Sequence, residues 1–131
     1  MDTTPLIIDC MLNSSFYHEA FIDNGCLCNA AFSSQLVHQR KLPRIVVTPR
    51  ELQLAEKDTQ TRHITHITYA DFDIDGRKER VWGYVIKNLA YPIILGKPWM
   101  EKNDVVYLAK KRAIRFGSQS RGTCGTRERV V

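Results

Sequence analysis

One carboxylate in the sequence lies where a predicted strand ends in a tight turn. Residues 16–22 have the period-two pattern of a strand, and Asp23, Asn24 and Gly25 follow them directly. A fixed aspartate can serve as a general acid or a general base, so Asp23 is the candidate catalytic residue. Asn-Gly is also a common hairpin turn, because both residues tolerate positive φ. The triplet by itself therefore fits a solvated hairpin loop as well.

Cysteine and histidine supply no convincing metal site. The cysteines are Cys10, Cys26, Cys28 and Cys124. Cys26 and Cys28 form one close pair, but a zinc site usually needs a second pair, and Cys124 lies in a polar tail. His63 and His66 are three residues apart on a predicted strand, where they point to opposite faces. The sequence therefore predicts reduced thiols, ordinary strand histidines and no bound metal.

Length and composition indicate one packed domain of 131 residues, since 44% of the residues are hydrophobic. The apolar runs are too short for a transmembrane helix, and the first residues do not resemble a secretory signal. We therefore predict an intracellular, cytoplasmic chain without a membrane partner.

The net charge of +5 is concentrated at one end of the chain. Residues 110–131 carry seven basic side chains and one acidic side chain, a balance of +6, so residues 1–109 carry −1. A near-neutral body with a basic end is not typical of a nucleic-acid-binding domain. We predict one domain over residues 1–117 and a basic, disordered tail or linker over residues 118–131.

The pattern of apolar residues predicts a chain made mainly of strands. Strands are predicted at residues 6–12, 16–22, 26–31, 45–48, 61–74, 81–86, 92–96, 105–108 and 113–116. Two short helices are predicted at 33–39, capped by Ser33 or Ser34, and at 97–103. Pro49 is expected to stop the strand before it, and residues 50–60 are expected to form an exposed, mobile excursion.

The strand at 92–96 has a special composition, because three large aliphatic residues precede Gly96. Such a run is typical of a strand that is buried on both faces. A glycine at its end predicts that another segment of backbone approaches closely there.

Two sequence blocks and the order of these elements resemble the retropepsin-like protease domain of Gypsy-type LTR retrotransposon polyproteins. The first block is Phe21-Ile22-Asp23-Asn24-Gly25-Cys26, and the second, more specific one is Ile94-Leu95-Gly96. The continuations Lys97-Pro98-Trp99-Met100, Asn103-Asp104-Val105 and Arg112-Ala113-Ile114-Arg115-Phe116 are also similar to that family. The resemblance covers residues 16–117.

The resemblance implies an all-β fold with one or two short helices, a closed β-barrel or sandwich subunit of the acid-protease type. It implies an aspartic endopeptidase that is active as a homodimer, in which Asp23 of one chain meets Asp23 of a second copy. Two such carboxylates share one proton, so one can activate water while the other donates to the peptide carbonyl. Neither a metal nor another cofactor is implied. The implied substrate is the polyprotein that contains the chain.

The resemblance also assigns roles to other residues. Asn24 and Gly25 belong to the active-site loop, and Gly25 lets substrate and the partner loop approach the backbone. Asn24 stands where the family usually has Ser or Thr. The hydroxyl of that residue forms a hydrogen bond across the dimer to the backbone of the opposite loop, and the Asn24 amide can also donate and accept hydrogen bonds. Val85, Ile94 and Leu95 are candidates for apolar walls of the substrate site, with core packing as the alternative. Residues 50–60 correspond in position to the flap over the substrate.

Two other functions remain open at the level of the sequence. One is a catalytically inactive retropepsin-like module for dimerisation or peptide binding, since a sheet edge and an apolar groove can hold an extended peptide without cleaving it. The other is nucleic-acid binding by residues 110–131, which rests on charge alone and is not favoured.

Overall fold

The computed structural model describes residues 6–54 and 60–117, which form nine strands and two helices. The strands are β1 (Leu6–Leu12), β2 (Phe16–Ile22), β3 (Ala30–Ser33), β4 (Ile45–Leu52), β5 (Arg62–Ile74), β6 (Arg77–Ile86), β7 (Ile93–Leu95), β8 (Val105–Leu108) and β9 (Ala113–Phe116). The helices are α1 (Ser34–Gln39) and α2 (Lys97–Lys102). Among these residues, neither helix has the length and apolar character needed to cross a membrane.

Six of the described strands close into a barrel. Their order is β1-β2-β7-β3-β6-β5, and the end of β5 returns to β1, where Leu12 pairs with Phe72. The first half of β5 pairs instead with β4, which lies at the edge, and β8 and β9 form a separate hairpin. The predicted all-β fold with two short helices is therefore confirmed.

The barrel encloses the main core, and the sequence pattern explains how. Alternate residues of β1 are buried, as expected for a strand with one face toward the core. Phe32 and Phe72 meet edge to face inside, with ring centroids 6.0 Å apart. Trp99 of α2 packs on Phe116 of β9 in the same geometry, so the helix and the last hairpin cover one side of this core.

Two strand predictions need correction. Residues 26–29 do not belong to the third strand, because their backbone groups do not pair with one neighbouring strand. Instead, the Leu27 N–H donates to the Leu54 carbonyl, and the Asn29 carbonyl accepts from the Gly96 N–H. Pro49 does not end its strand either, and β4 continues to Leu52. An edge strand tolerates a proline without an N–H, and the pairing register shifts between Val46 and Arg50.

The prediction of an exposed excursion at residues 50–60 is correct for the exposure of Arg50, Glu51 and Gln53 but wrong in two respects. Residues 50–52 belong to β4, and Leu54 is buried, because it covers an apolar surface described below. Residues 55–59, and with them the centre of the expected flap, lie outside the described residues. The predicted tail at 118–131 also lies outside them.

Asn103 joins α2 to the barrel, and its removal should cost stability. Its buried amide donates to the Trp99 carbonyl at 3.0 Å and accepts from Arg77 at 2.8 Å. A second Arg77 nitrogen, Nε, donates to the same oxygen at 3.3 Å. Asn103→Ala removes all three bonds, so we expect the free energy of unfolding to fall by about 2 kcal/mol. Chemical denaturation measures this loss. Gln35→Ala, at an exposed position of α1, is the control and should change stability by less than about 0.5 kcal/mol; equal losses would contradict the role of Asn103.

Candidate active site

Asp23 follows β2 directly and is held by its own loop. The Gly25 N–H donates to Oδ1 of the Asp23 carboxylate at 2.9 Å, and the Cys26 N–H donates to the Asp23 carbonyl at 3.1 Å. Neither Asn24 nor Gly25 has a positive φ, so the hairpin-turn interpretation of this triplet is wrong. The turn is closed by the hydrogen bond to the Asp23 side chain. This bond fixes one carboxylate oxygen, and Asp23 is half-buried.

The junction between β7 and α2 clamps this loop at both ends. The Asp23 N–H donates to the Leu95 carbonyl at 3.0 Å, and the Lys97 N–H donates to the Cys26 carbonyl at 2.9 Å. Strands β2 and β7 are parallel neighbours, with Ile22 beside Leu95. The two sequence blocks that carry the resemblance therefore lie side by side in space.

Gly96 is the point of closest approach in the clamp. Its N–H donates to the Asn29 carbonyl at 3.0 Å. A Cβ added to Gly96 would overlap the Cys28 carbonyl oxygen and lie 3.0 Å from the Cys26 carbonyl oxygen. The prediction that a second backbone approaches this glycine is confirmed.

Asn24 and Gly25, directly after Asp23, are exposed. A Cβ on Gly25 would lie 3.3 Å from Oδ1 of Asp23, a tight contact with the carboxylate. Glycine therefore leaves the carboxylate accessible. Asn24 lines a surface cavity together with Lys97 and Glu101 of α2.

A second apolar cluster, which we call the loop-side cluster, lies behind the loop and is distinct from the main core. Its buried members are Cys26, Cys28, Ala31, Leu54, Ile64, Ile86 and Ile94. The Leu27 N–H donates to the Leu54 carbonyl at 2.7 Å, which ties this part of the loop to the end of β4. The contribution of Leu54 had no sequence signal, because it depends on a contact between distant segments.

The three apolar residues expected near substrate have different positions. Ile94 belongs to the loop-side cluster, close in the fold to the loop that carries Asp23. Leu95 is fully buried in the main core, and Val85 packs against that same core. Their contact with substrate stays a prediction, and Ile94 has the most suitable position of the three.

Cys26 and Cys28 have their Sγ atoms 3.1 Å apart within the loop-side cluster. Both are free thiols, as is Cys10. The hydrogen bond from the Cys28 thiol lowers the pKa of Cys26, whereas that same bond together with burial raises the pKa of Cys28. Within residues 6–54 and 60–117, no three His, Cys, Asp or Glu side chains converge as metal ligands would. His63 and His66 lie on β5, as predicted.

The chain is similar to protease-like domains of known proteins. A family model described as the PEG10/RTL1 protease domain matches residues 19–124, which include both Asp23 and Gly96. A crystal structure of the retroviral protease-like domain of Ddi1 from Leishmania major is similar to the chain. Its TM-score is 0.67 at 19% sequence identity, and the match covers 88% of this chain and 89% of that chain. No curated protein matches by sequence.

At 19% sequence identity the structural match shows the fold alone, and it confirms the predicted retropepsin-like β-barrel. The family model spans most of the sequence and contains the whole loop from Asp23 to Asn29. The chain therefore belongs to the PEG10/RTL1 protease domain family.

Proposed function

We propose that the protein is an aspartic endopeptidase that acts as a homodimer. The observation that carries this proposal is the Asp23 carboxylate, fixed by the Gly25 N–H at 2.9 Å on a loop that β7 and α2 clamp. A catalytic acid or base must be held in position, and the bonds to Gly25 and to the Leu95 carbonyl hold Asp23, which stays half-buried. Membership of a protease domain family supports the assignment.

The chemistry requires two carboxylates with different protonation. The sequence contains one Asp-x-Gly triplet, so a second copy of the chain must supply the other aspartate. Two carboxylates in contact cannot both ionise and therefore share one proton. The ionised Asp23 takes a proton from a water molecule, which attacks the peptide carbonyl carbon. The protonated Asp23 of the other copy donates to the carbonyl oxygen, which gives a tetrahedral diol. The first Asp23 then gives the proton it took from water to the amide nitrogen, the second takes back a proton from a diol hydroxyl, and the C–N bond breaks to release the amine and a carboxylic acid.

The proposed substrate is an extended segment of polypeptide that lies across the two Asp23 loops, as in the polyprotein processing that the sequence resemblance implies. The loop-side cluster lies next to the Asp23 loop, and Ile94 is the residue of that cluster that we assign to the substrate wall. Exposed Leu27, in the same loop, adds apolar area at this place. Side chains in alternate positions of an extended peptide would meet this surface.

A concentration series tests the proposal. The purified chain would be incubated with a mixed peptide library in mildly acidic solution, from dilute to high concentration, with sedimentation run in parallel. We expect cleavage per chain to rise with the dimer fraction and to disappear in an Asp23→Ala protein. Cleavage by a monomer would contradict the shared site. A dimer without cleavage would contradict the peptidase and leave the peptide-binding module.

Asn24→Thr should strengthen the dimer and raise activity at low concentration. Threonine restores the hydroxyl that the family usually places here, and one additional hydrogen bond of about 1.4 kcal/mol corresponds to a roughly tenfold lower dimer Kd. Sedimentation equilibrium measures the change. Asn24→Ala, which can neither donate nor accept, is the matched control and should dimerise no better than the wild type. Identical Kd values for all three proteins would place position 24 outside the interface.

A further inference from the structure

Cys26 and Cys28 form a dithiol that the proposed catalysis does not use. The loop is extended enough here for residues i and i+2 to point to the same side, and both side chains enter the loop-side cluster. Their Sγ atoms lie 3.1 Å apart and share a hydrogen bond. A disulfide requires an S–S distance of about 2.05 Å, so the two sulfur atoms need to approach by only about 1 Å.

Cys10 provides an internal comparison for this pair. It is also buried, but its thiol donates to the His18 carbonyl at 3.3 Å. Burial raises the pKa of Cys10 to about 12, which keeps it in the unreactive thiol form. Cys26 differs, because the neighbouring thiol lowers its pKa and stabilises its thiolate. Of the three described thiols, Cys26 is the one whose pKa is lowered, and the Cys28 sulfur lies within its reach.

We propose that Cys26 and Cys28 are a redox-active site at which a hydroperoxide forms an intrachain disulfide that shifts the Asp23 loop. The Cys26 thiolate attacks one peroxide oxygen and breaks the O–O bond. Cys26 becomes a sulfenic acid, and the released hydroxide (an alkoxide for an organic hydroperoxide) takes up the proton that Cys26 lost on forming its thiolate, to give water or an alcohol. The Cys28 sulfur then attacks the Cys26 sulfur and expels the sulfenic hydroxyl, which leaves as water with the Cys28 proton.

The backbone of this pair is directly bonded to the loop and its clamp. The Cys26 N–H donates to the Asp23 carbonyl, and the Cys26 carbonyl accepts from Lys97. The Cys28 carbonyl lies against Gly96, with no room for even a methyl group between them. When the sulfur atoms close into a bond, we expect the Cys26 and Cys28 backbones to adjust, and these contacts then transmit the movement to Asp23. This inference concerns the loop itself and does not depend on peptidase activity.

The full chain with Cys124→Ser, which keeps Cys10 as the only cysteine besides the pair, is treated with hydrogen peroxide and analysed by mass spectrometry. We expect the loss of two hydrogen atoms and a crosslink between Cys26 and Cys28, both reversed by dithiothreitol. This reaction should be at least about tenfold faster than modification of Cys10. Cys26→Ser and Cys28→Ser are matched controls that keep the size of the side chain and should form no crosslink. Sulfinic acid without a crosslink, or a disulfide to Cys10, would overturn the proposal.

Amide NMR shifts test the effect on the loop in the same samples. Oxidation should move the N–H signals of Asp23, Gly25 and Gly96, while Gly76, in the distant β5–β6 turn, should stay in place. Reduction should restore the original spectrum. A complete disulfide that leaves the Asp23 and Gly96 signals unchanged would overturn the coupling to the loop.

Discussion

Asp23→Asn is expected to abolish peptide cleavage and leave the fold intact. In a homodimer this substitution removes both the general base and the general acid, and such groups contribute on the order of 10⁴-fold to a rate. The amide oxygen of asparagine can still accept the Gly25 N–H, which the Asp23 Oδ1 atom accepts at 2.9 Å. Cleavage rates and thermal unfolding of the same preparations measure the two effects. Wild-type activity in the variant would rule out Asp23 as the catalytic residue.

The comparison with Asp23→Ala separates chemistry from loop structure. Alanine removes the carboxylate and also the acceptor for the Gly25 N–H. Both variants should be inactive, but only Asp23→Ala should lose about 1 kcal/mol of stability. An equal loss of stability in both proteins would mean that asparagine does not keep the hydrogen bond of the loop.

A mixing experiment tests whether the site is shared between two chains. Equal amounts of wild-type and Asp23→Asn chains should exchange subunits and leave about a quarter of the dimers with two aspartates, if pairing is random. The mixture should therefore have about half the activity of the wild-type portion alone. Activity that merely equals that of the wild-type portion, with exchange demonstrated, would contradict the shared site.

The second large effect is expected from Gly96→Ala. The backbone of Gly96 has φ −97° and ψ −176°, which alanine adopts without strain. The substitution is destabilising only through a steric clash, because the new methyl group would overlap the Cys28 carbonyl oxygen. Either β7 or the Asp23 loop has to move. We therefore expect the free energy of unfolding to fall by about 3 kcal/mol and peptidase activity to be lost. Chemical denaturation measures the first and the peptide assay the second.

Gly76→Ala is the matched control, because alanine there is strained by the backbone angle and meets no steric clash. Gly76 has φ +97° and nothing within 4 Å of a new Cβ, so alanine there is strained but has room. We expect a loss of about 1 kcal/mol and full activity, since the turn is far from Asp23. If Gly96→Ala were no more harmful than Gly76→Ala, the clamp would not fix the loop.

The sequence alone determined the features that depend on local pattern. The alternation in residues 6–12 and 16–22 predicted β1 and β2 with their observed bounds, because a strand with one buried face has period two. Ser33 and Pro98 predicted the starts of α1 and α2, since capping and fixed φ act over a few residues. The aliphatic run ending at Gly96 predicted a buried strand and a close backbone approach for the same reason.

Only the tertiary structure decided which distant segments meet. Residues 26–29 look like a strand, but their backbone bonds go to Leu54, Gly96 and Lys97, and no local pattern records these partners. Pro49 is tolerated inside β4 because that strand lies at an edge, a property of the whole sheet. The Cys26–Cys28 dithiol and the burial of Leu54 likewise arise from chain segments that the fold brings together. Local preferences thus place the Asp23 turn, whereas contacts between remote backbone segments hold it in position.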